Sequence, residues 1–236
     1  MNAVFERIAE SSISAYPREL DEYQHEGVIK KFRDEWEVDE KQARDIFSEM
    51  KKFLYISEIG QQHSIQIEID ETTQIIDKMW HHFILFTEDY RIFCDRFFGK
   101  MVHHAPFSSE HLAQAIDEAT SKGMTLNAYK LHCLGQQLRL IASALGLETV
   151  KKWYVDYANA YSPSRMNALQ RAVFHENMDH FAQPLDPQAA QKMGADEMIK
   201  GILEHTSPSM FCGRRCGRRC GMRCRISCKS CRRACR

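Results

Sequence analysis

Histidines and a carboxylate concentrate in one stretch of the chain, in types and spacings that could bind a metal ion. Residues 80–106 read WHHFILFTEDYRIFCDRFFGKMVHHAP and contain four histidines. Asp77 and His81 are four residues apart, so on a helix the carboxylate could orient the imidazole, or both groups could bind one ion. His103 and His104 follow as a pair. Imidazole and carboxylate ligands suit divalent metals, so these four residues are candidate ligands for a divalent metal ion.

Whether the candidate ligands can meet depends on the helix that carries Asp77 and His81. The apolar spacing predicts one helix from about residues 70–73 to Phe98. His81 would then lie 17 residues before the end of that helix, about 25 Å away. The loop from Phe98 to the histidine pair can return only ~18–20 Å. Either the helix breaks near FTED, or there are two separate clusters, and each could be completed by another histidine: His63, His111, His132, His175 or His180.

The same stretch also permits a purely structural interpretation. On a helical wheel one face is apolar and predicts a core-facing stripe, made of Ile76, Met79, Trp80, Phe83, Tyr90, Cys94 and Phe97. A cysteine within such a stripe, here Cys94, is typical of a buried structural thiol. Asp77 and His81 could equally form a structural hydrogen bond. Stronger metal signatures, such as HExxH or paired CxxC motifs, are absent from this part of the sequence.

Over about residues 40–110 the chain resembles the glycine-rich domain-containing protein-like family of bacteria and plants. The resemblance lies in an ordered set of motifs: Asp77, MWHHFILFT at 79–87, Tyr90, FC at 93–94, FFG at 97–99 and HHAP at 103–106. It implies a helical domain followed by a Gly-rich tail, often with cysteines in bacterial members. Because the activity of that family is undefined, the resemblance does not indicate a function. The signature residues that it marks here are the four candidate ligands and, with structural roles, Trp80, Tyr90, Cys94 and Pro106. The tail departs from the family pattern, since Arg stands where more Gly would be expected.

Helical spacing of apolar residues continues through most of the chain. Residues 28–59 carry it with a break near WEVDE, where Asp39 is a candidate helix cap. Residues 64–69, SIQIEI, alternate and predict an extended linker or a single strand. Further helices are predicted at 109–121, 125–145, 147–160, 164–181 and 187–204. The patterns predict an all-α fold: a single multi-helix domain at 26–205, after an N-terminal segment at 1–25 and before a tail at 206–236.

The C-terminal tail differs from the rest of the chain in charge and in cysteine content. The whole chain has 32 basic and 32 acidic residues, yet residues 212–236 hold nine Arg, one Lys and no acid, which leaves a net charge of −10 on residues 1–211. Seven of the nine cysteines also lie there, at Cys212, Cys216, Cys220, Cys224, Cys228, Cys231 and Cys235. A short segment without an apolar core is predicted to be disordered unless a ligand orders it.

Several ligands would suit this tail. Thiolates could bind Zn²⁺ or Cu(I), although only Cys228 and Cys231 have CxxC spacing. The positive charges could bind a polyanion, either a nucleic acid or an anionic lipid surface. Oxidation could instead crosslink the cysteines, and a solvated tail of low specificity is the alternative to all of these.

The remaining signals limit the function classes. No phosphate-binding loop, nucleophile elbow or dinucleotide-binding glycine pattern occurs. No apolar run predicts a membrane span, and Glu6 and Glu10 interrupt any signal peptide, so we expect a cytoplasmic protein.

The first hypothesis is a non-enzymatic binding protein whose tail captures soft metal or a polyanion. The competing hypothesis is a metal-dependent enzyme that uses the four candidate ligands with an acid as general base. Convergence of those side chains in a cleft would favour the enzyme, and their separation by the full helix length would favour the binding protein.

Overall fold

The computed structural model describes residues 15–105, 108–171 and 186–205, which form helices and connecting loops without a β-strand. In chain order the helices are α1 (Arg18–Glu22), α2 (Glu26–Glu35), α3 (Glu40–Gln62), α4 (Gln74–Ile84), α5 (Thr87–Phe98), α6 (Ser109–Ser121), α7 (Leu126–Leu145), α8 (Leu147–Lys151), α9 (Tyr157–Ala160), α10 (Pro163–Leu169), α11 (Pro187–Ala190) and α12 (Ala195–His205). A π-helical turn, Lys152–Asp156, joins α8 to α9. The predicted all-α fold is confirmed for these ranges.

The described residues fall into two units, one within residues 15–171 and the other within residues 186–205. Helices α1 to α10 belong to the first unit, and α11 and α12 belong to the second. The tail at 206–236, with its seven candidate cysteines, and Pro106 lie outside the described residues. The roles predicted for the tail cysteines and for Pro106 stay predictions, and so do the predicted domain limits. No described helix is both long and apolar enough to cross a membrane.

Helix α3 is the centre of the first unit. It begins with a capping box, in which the Asp39 side chain accepts a hydrogen bond from the Gln42 backbone N–H and the Gln42 side chain accepts one from the Asp39 N–H. The predicted cap is therefore confirmed. Its apolar residues recur at helical spacing and are buried: Ala43, Ile46, Phe47, Met50, Phe53 and Leu54. Since burying one large apolar side chain contributes roughly 1.5–3 kcal/mol, α3 anchors α1, α2, α4 and α7, which pack against it.

The helix that carries Asp77 and His81 does not continue to Phe98, so the prediction of one helix over this stretch is wrong. Helix α4 ends at Ile84 and α5 begins at Thr87. The alternative prediction, a break near FTED, is confirmed. The break removes the distance that a single straight helix would place between His81 and the loop after α5.

Phe86 and the first turn of α5 explain where the break falls. Phe86 leaves the helical conformation, with φ −89° and ψ 61°, and its ring packs 5.0 Å from the ring of His25 in the connection before α2. Acids occupy the first turn of α5, where the helix dipole favours negative charge. Helix α5 then packs on α4, with the rings of Phe83 and Phe93 5.0 Å apart.

Other helix limits differ from the predicted ones. Helix α10 ends at Leu169 rather than continuing as the 164–181 pattern predicts, because Gln170 takes an extended conformation and forms an isolated bridge with Trp36. The stretch at 187–204 holds two helices, α11 and α12, instead of one. Residues 65–69 have no regular secondary structure and follow a turn at Ser64, so this stretch is a linker and the alternative prediction of a strand is wrong.

Candidate metal centre

Three side chains from two segments of the chain meet beside α4: those of Asp77, His81 and His104. Each offers one ligand atom, and these atoms all lie within 4.8 Å of one another. The Asp77 carboxylate joins the two imidazoles, since its Oδ1 is 2.8 Å from His104 Nε2 and its Oδ2 is 3.3 Å from His81 Nδ1. The centroids of the two imidazole rings are 4.4 Å apart. In the described part of the chain, this is the one group of at least three such side chains close enough to share an ion.

The spacing of these atoms is compatible with a single ion. Bonds of about 2.0–2.1 Å at a tetrahedral angle put neighbouring ligand atoms about 3.3 Å apart. The 2.8 Å between Asp77 Oδ1 and His104 Nε2 needs little change to reach that value, and the ligand atoms of all three side chains lie within 4.8 Å of one another. Three protein ligands leave at least one position of a tetrahedron for water or another molecule.

The site is buried on one side and open on the other. The side chains of Asp77 and His104 are 12% and 16% exposed, whereas that of His81 is 51% exposed. The His81 Nδ1 lies 2.8 Å from the Asp77 carbonyl oxygen, and a proton on this nitrogen would leave the Nε2 lone pair free to bind an ion. Lys78 Nζ, 3.4 Å from Asp77 Oδ2, offsets part of the carboxylate charge. Solvent or a small ligand would therefore approach from the His81 side.

Helix α4 positions Asp77 and His81 one turn apart, as the sequence spacing predicts. The turn before it is held by Asp70, whose Oδ1 accepts hydrogen bonds from the backbone N–H groups of Thr72 and Thr73. The Thr73 carbonyl in turn accepts the Asp77 N–H at 3.2 Å. The start of α4 is thereby fixed close to the carboxylate that joins the site.

The loop after α5 positions His104. Helix α5 ends at Gly99, whose φ of +68° lies in the left-handed region that favours glycine. The His104 ring packs against the indole of Trp80, with 4.2 Å between ring centroids. Two residues earlier, the Val102 carbonyl accepts a hydrogen bond of 2.7 Å from the Tyr90 hydroxyl. His104 is thus held both by its ring and by the backbone beside it.

Cys94 supports this loop from within the core. Its side chain is fully buried, and it interacts with the Val102 backbone and the Tyr90 hydroxyl. Burial raises the pKa of the Cys94 thiol, and a protonated thiol is a poor metal ligand and a poor nucleophile. Burial raises the pKa of Tyr90 as well, so its hydroxyl remains a hydrogen-bond donor at neutral pH.

The structure does not bring the other candidate histidines into this group. His103 is exposed and is not a member of the group, although it is adjacent to His104. His63 ends α3, His111 takes part in the capping box that starts α6, and His132 is exposed. His175 and His180 lie outside the described residues.

Comparison with known protein families places the chain in one of them. Residues 10–144, more than half of the 236-residue chain, match the model of the UCP032817-like family. The chain belongs to the UCP032817-like family. Asp77, His81 and His104 all lie inside the matched stretch, whereas the Cys/Arg-rich tail lies outside it. No curated protein and no solved structure matches the chain. The resemblance to the glycine-rich domain-containing protein-like family stays a prediction.

This member of the UCP032817-like family also contains a buried imidazole that the sequence did not single out. His82, on the opposite side of α4 from Asp77, places its Nε2 3.0 Å from Glu35 Oε2 in α2 and its Nδ1 2.6 Å from the Lys78 carbonyl. Lys31 forms an ion pair with the same Glu35. No spacing rule connects His82 to Glu35, 47 residues away, so only the packing of α2 on α4 could reveal the pair.

Proposed function

We propose that this protein binds a divalent transition-metal ion through Asp77, His81 and His104. The observation that carries the proposal is the convergence of three donor side chains from two segments at distances that one ion can span. The break between α4 and α5 makes that convergence possible. Buried on the Asp77 side and open on the His81 side, the site has the form of a binding centre with access from solvent.

The chemistry of the donors favours some metals over others. Two imidazoles and one carboxylate suit Zn²⁺ or Fe²⁺, and the same donor set with open positions is used by metalloenzymes for both ions. Cu(I) prefers thiolate or thioether ligands, and the nearby Cys94 thiol is buried and has a raised pKa. Of the two metals predicted from the sequence, zinc therefore fits this site better than copper.

A hydrogen-bonded group without metal is the structural alternative. Asp77 could simply accept hydrogen bonds from both imidazoles, and the distances in the structure are compatible with that arrangement. The two accounts differ in what the protein retains on purification and in what it binds, so metal content and affinity decide between them.

The test uses the full chain and isothermal titration with Zn²⁺ and with Fe²⁺ under anaerobic conditions. All measurements are made in a background with the seven tail cysteines replaced by serine, so that thiolates do not contribute. We expect one ion per chain, and loss of at least ten-fold in affinity for His104→Ala and Asp77→Asn. The matched control is His103→Ala, the exposed neighbour, which should bind like the parent protein. Equal binding by all variants, or no binding by the parent, would refute the proposal.

The tail is the basis for a separate binding proposal, which rests on its sequence. Seven cysteines and ten positive charges in residues 212–236 suit thiolate ligation of Zn or Cu and, independently, attraction of a nucleic acid or an anionic lipid surface. In the cytoplasm, the location that the sequence predicts, these thiols would stay reduced. Metal that the full chain loses when the seven cysteines become serine belongs to the tail, and metal that it keeps belongs to the helical site.

A metal-dependent hydrolase is the second candidate function, and the open side at His81 is the observation that favours it. A bound Zn²⁺ with a free position lowers the pKa of its water ligand to about 7 and so generates hydroxide near neutral pH. Hydrolysis of simple esters or phosphate esters by the zinc-loaded protein, and not by His104→Ala, would support this candidate. Equal rates for the two would leave metal binding as the function.

A further inference from the structure

A chain of two buried hydrogen bonds connects α4 to the loop that carries His104. The Trp80 Nε1–H donates to the Tyr90 hydroxyl oxygen at 2.9 Å, and the Tyr90 hydroxyl donates to the Val102 carbonyl at 2.7 Å. Trp80, Tyr90 and Val102 are 6%, 1% and 8% exposed. Both bonds are therefore shielded from water. If one of them breaks, water cannot replace it, and the buried polar groups are left without a partner.

Because Val102 is close to His104 in the chain, these hydrogen bonds affect where His104 lies. Val102 lies two residues before His104, in a loop without regular secondary structure that follows Gly99. A hydrogen bond to its carbonyl therefore fixes the backbone just before the His104 side chain leaves it. The sequence alone could not assign this bond, because Tyr90 and Val102 are partners across a helix end.

Trp80 also contacts the loop that carries His104 directly. Its indole ring packs against the His104 imidazole at 4.2 Å between centroids, and it lies on α4 between Asp77 and His81. The indole thus contacts the imidazole directly, while its N–H orients the hydroxyl that holds the loop. Trp80 on α4 therefore helps to hold both the side chain of His104 and the backbone before it. The same helix carries the other two candidate ligands.

We infer that Tyr90 is a positioning residue for the metal site: its hydroxyl holds Val102 so that His104 reaches Asp77. The inference rests on the proposed metal binding, and it deepens that proposal by naming what assembles the site. Groups that orient metal ligands from outside the coordination sphere change metal affinity by roughly 10–100-fold when they are removed. Tyr90→Phe keeps the ring and removes the hydroxyl, so we expect about a ten-fold loss of affinity.

Tyr90 could instead be a purely structural residue, because removing a buried hydroxyl also costs stability. The matched control is Tyr157→Phe. Tyr157 is buried and its hydroxyl donates a 2.7 Å hydrogen bond to Asp45 Oδ2, in a cluster that contains no member of the metal site. Both variants lose one buried hydroxyl, and only one of them loses the bond to Val102.

The first measurement needs no metal. Imidazole ¹⁵N resonances of the full, metal-free chain report the tautomer and hydrogen bonding of each histidine, and His104→Ala assigns the signals of His104. We expect Tyr90→Phe to shift the His104 signals toward those of a solvent-exposed histidine, and Tyr157→Phe to leave them unchanged. His104 signals that stay at their parent positions in Tyr90→Phe would overturn the inference. If that variant does not fold, 4-fluorophenylalanine in place of Tyr90, which keeps the size of the side chain and cannot donate to Val102, is measured instead.

The second measurement is a double-mutant cycle on Zn²⁺ affinity in the background without tail cysteines. A residue that acts through His104 should have no further effect once His104 is gone. We expect Tyr90→Phe to weaken binding about ten-fold in the parent and not at all beside His104→Ala. Equal losses in the two backgrounds would overturn the inference while leaving metal binding intact. A parent that binds no metal refutes the proposed function, and the imidazole signals then decide alone whether Tyr90 positions His104.

Discussion

His104 Nε2 lies 2.8 Å from Asp77 Oδ1, although 27 residues separate the two in the chain. The contact joins the loop after α5 to the first turn of α4, and that loop is held at Val102 and at the His104 ring. An imidazole at this distance from a carboxylate can either donate a hydrogen bond or share a metal ion with it. The difference between these two states determines how the protein responds to added metal.

Zinc should raise the melting temperature of the parent protein more than that of the site variants. A ligand that binds only the folded state at 100 times its Kd stabilises by about 2.7 kcal/mol, which corresponds to a shift of about 5–10 °C for a unit of this size. We expect this shift for the parent and for His103→Ala. Asp77→Asn and His104→Ala, which should bind at least ten-fold more weakly, should show about half of this shift or less.

Differential scanning fluorimetry on the full chain without tail cysteines, with and without Zn²⁺, is the measurement. The variants are also melted in the presence of a chelator, so that their intrinsic stability is known separately. A shift of the same size in His104→Ala would place the ion elsewhere.

Gly99→Ala should weaken both the fold and the site. Gly99 has φ +68°, and a side chain there would meet no atom within 4 Å, so the cost arises from the backbone conformation alone. That cost is about 1–2 kcal/mol for an L residue. Because Gly99 opens the loop to His104, we also expect several-fold weaker metal binding.

Gly123→Ala is the matched control for this prediction. Gly123 has φ +63° after α6 and equally open surroundings, so the same strain arises away from the site. Urea unfolding should show similar losses of stability for the two variants, and titration calorimetry should show weaker zinc binding only for Gly99→Ala. Equal affinities would mean that the loop tolerates the strain without moving His104.

The sequence predicts the helices better than it predicts the site, and the break between α4 and α5 shows why. The residues at the break are apolar, without Gly or Pro, and helical spacing continues on both sides. What ends α4 is tertiary packing, since the Phe86 ring packs against His25 from a distant part of the chain. Spacing within a segment carries no information about such a contact.

The pair His103 and His104 illustrates the same limit. The two are identical in type and adjacent, so the sequence proposes both as ligands. Which of them faces Asp77 depends on how Tyr90 holds Val102. By contrast Asp77 and His81, one helical turn apart, could be paired from spacing alone.

Glu49→Ala should destabilise the first unit strongly without changing the metal site. Glu49 is 1% exposed, and it accepts hydrogen bonds from Trp153 Nε1 at 2.8 Å, Lys152 Nζ at 2.9 Å and Lys52 Nζ at 3.0 Å. Removing Glu49 leaves the buried Trp153 N–H without an acceptor, at a cost of about 1–3 kcal/mol, whereas Lys152 keeps its ion pair with Asp45 on α3. The π-helical turn that contains Lys152 and Trp153 should therefore be held less tightly against α3.

Urea unfolding of Glu49→Ala measures this cost. Asp95→Ala is the control, because Asp95 pairs with Arg91 on the surface, where the two side chains are 53% and 62% exposed, and such pairs contribute little. A small effect of Glu49→Ala would mean that solvent reaches the cluster. Zinc affinity should remain that of the parent in both variants.

Acid should destabilise the fold through His82. Burial lowers the pKa of the His82 imidazole below its ordinary value; the hydrogen bond to the Lys78 carbonyl opposes this, and the charges of Lys31, His81 and Lys78 add to it. The unfolded chain therefore binds a proton at His82 at a higher pH than the folded chain does. As the pH falls through about 6.5, the ordinary value for histidine, the unfolded state is favoured and stability is lost.

His82→Gln should remove this part of the pH dependence, since glutamine stays neutral and can still hydrogen-bond to Glu35. The free energy of unfolding is measured in urea between about pH 8 and pH 5. We expect a shallower decline for His82→Gln than for the parent, and no change of slope for His132→Gln, which alters an exposed histidine. A parent that becomes more stable toward acid would show that Glu35, 3.0 Å from His82, outweighs burial and holds the imidazole in its charged form.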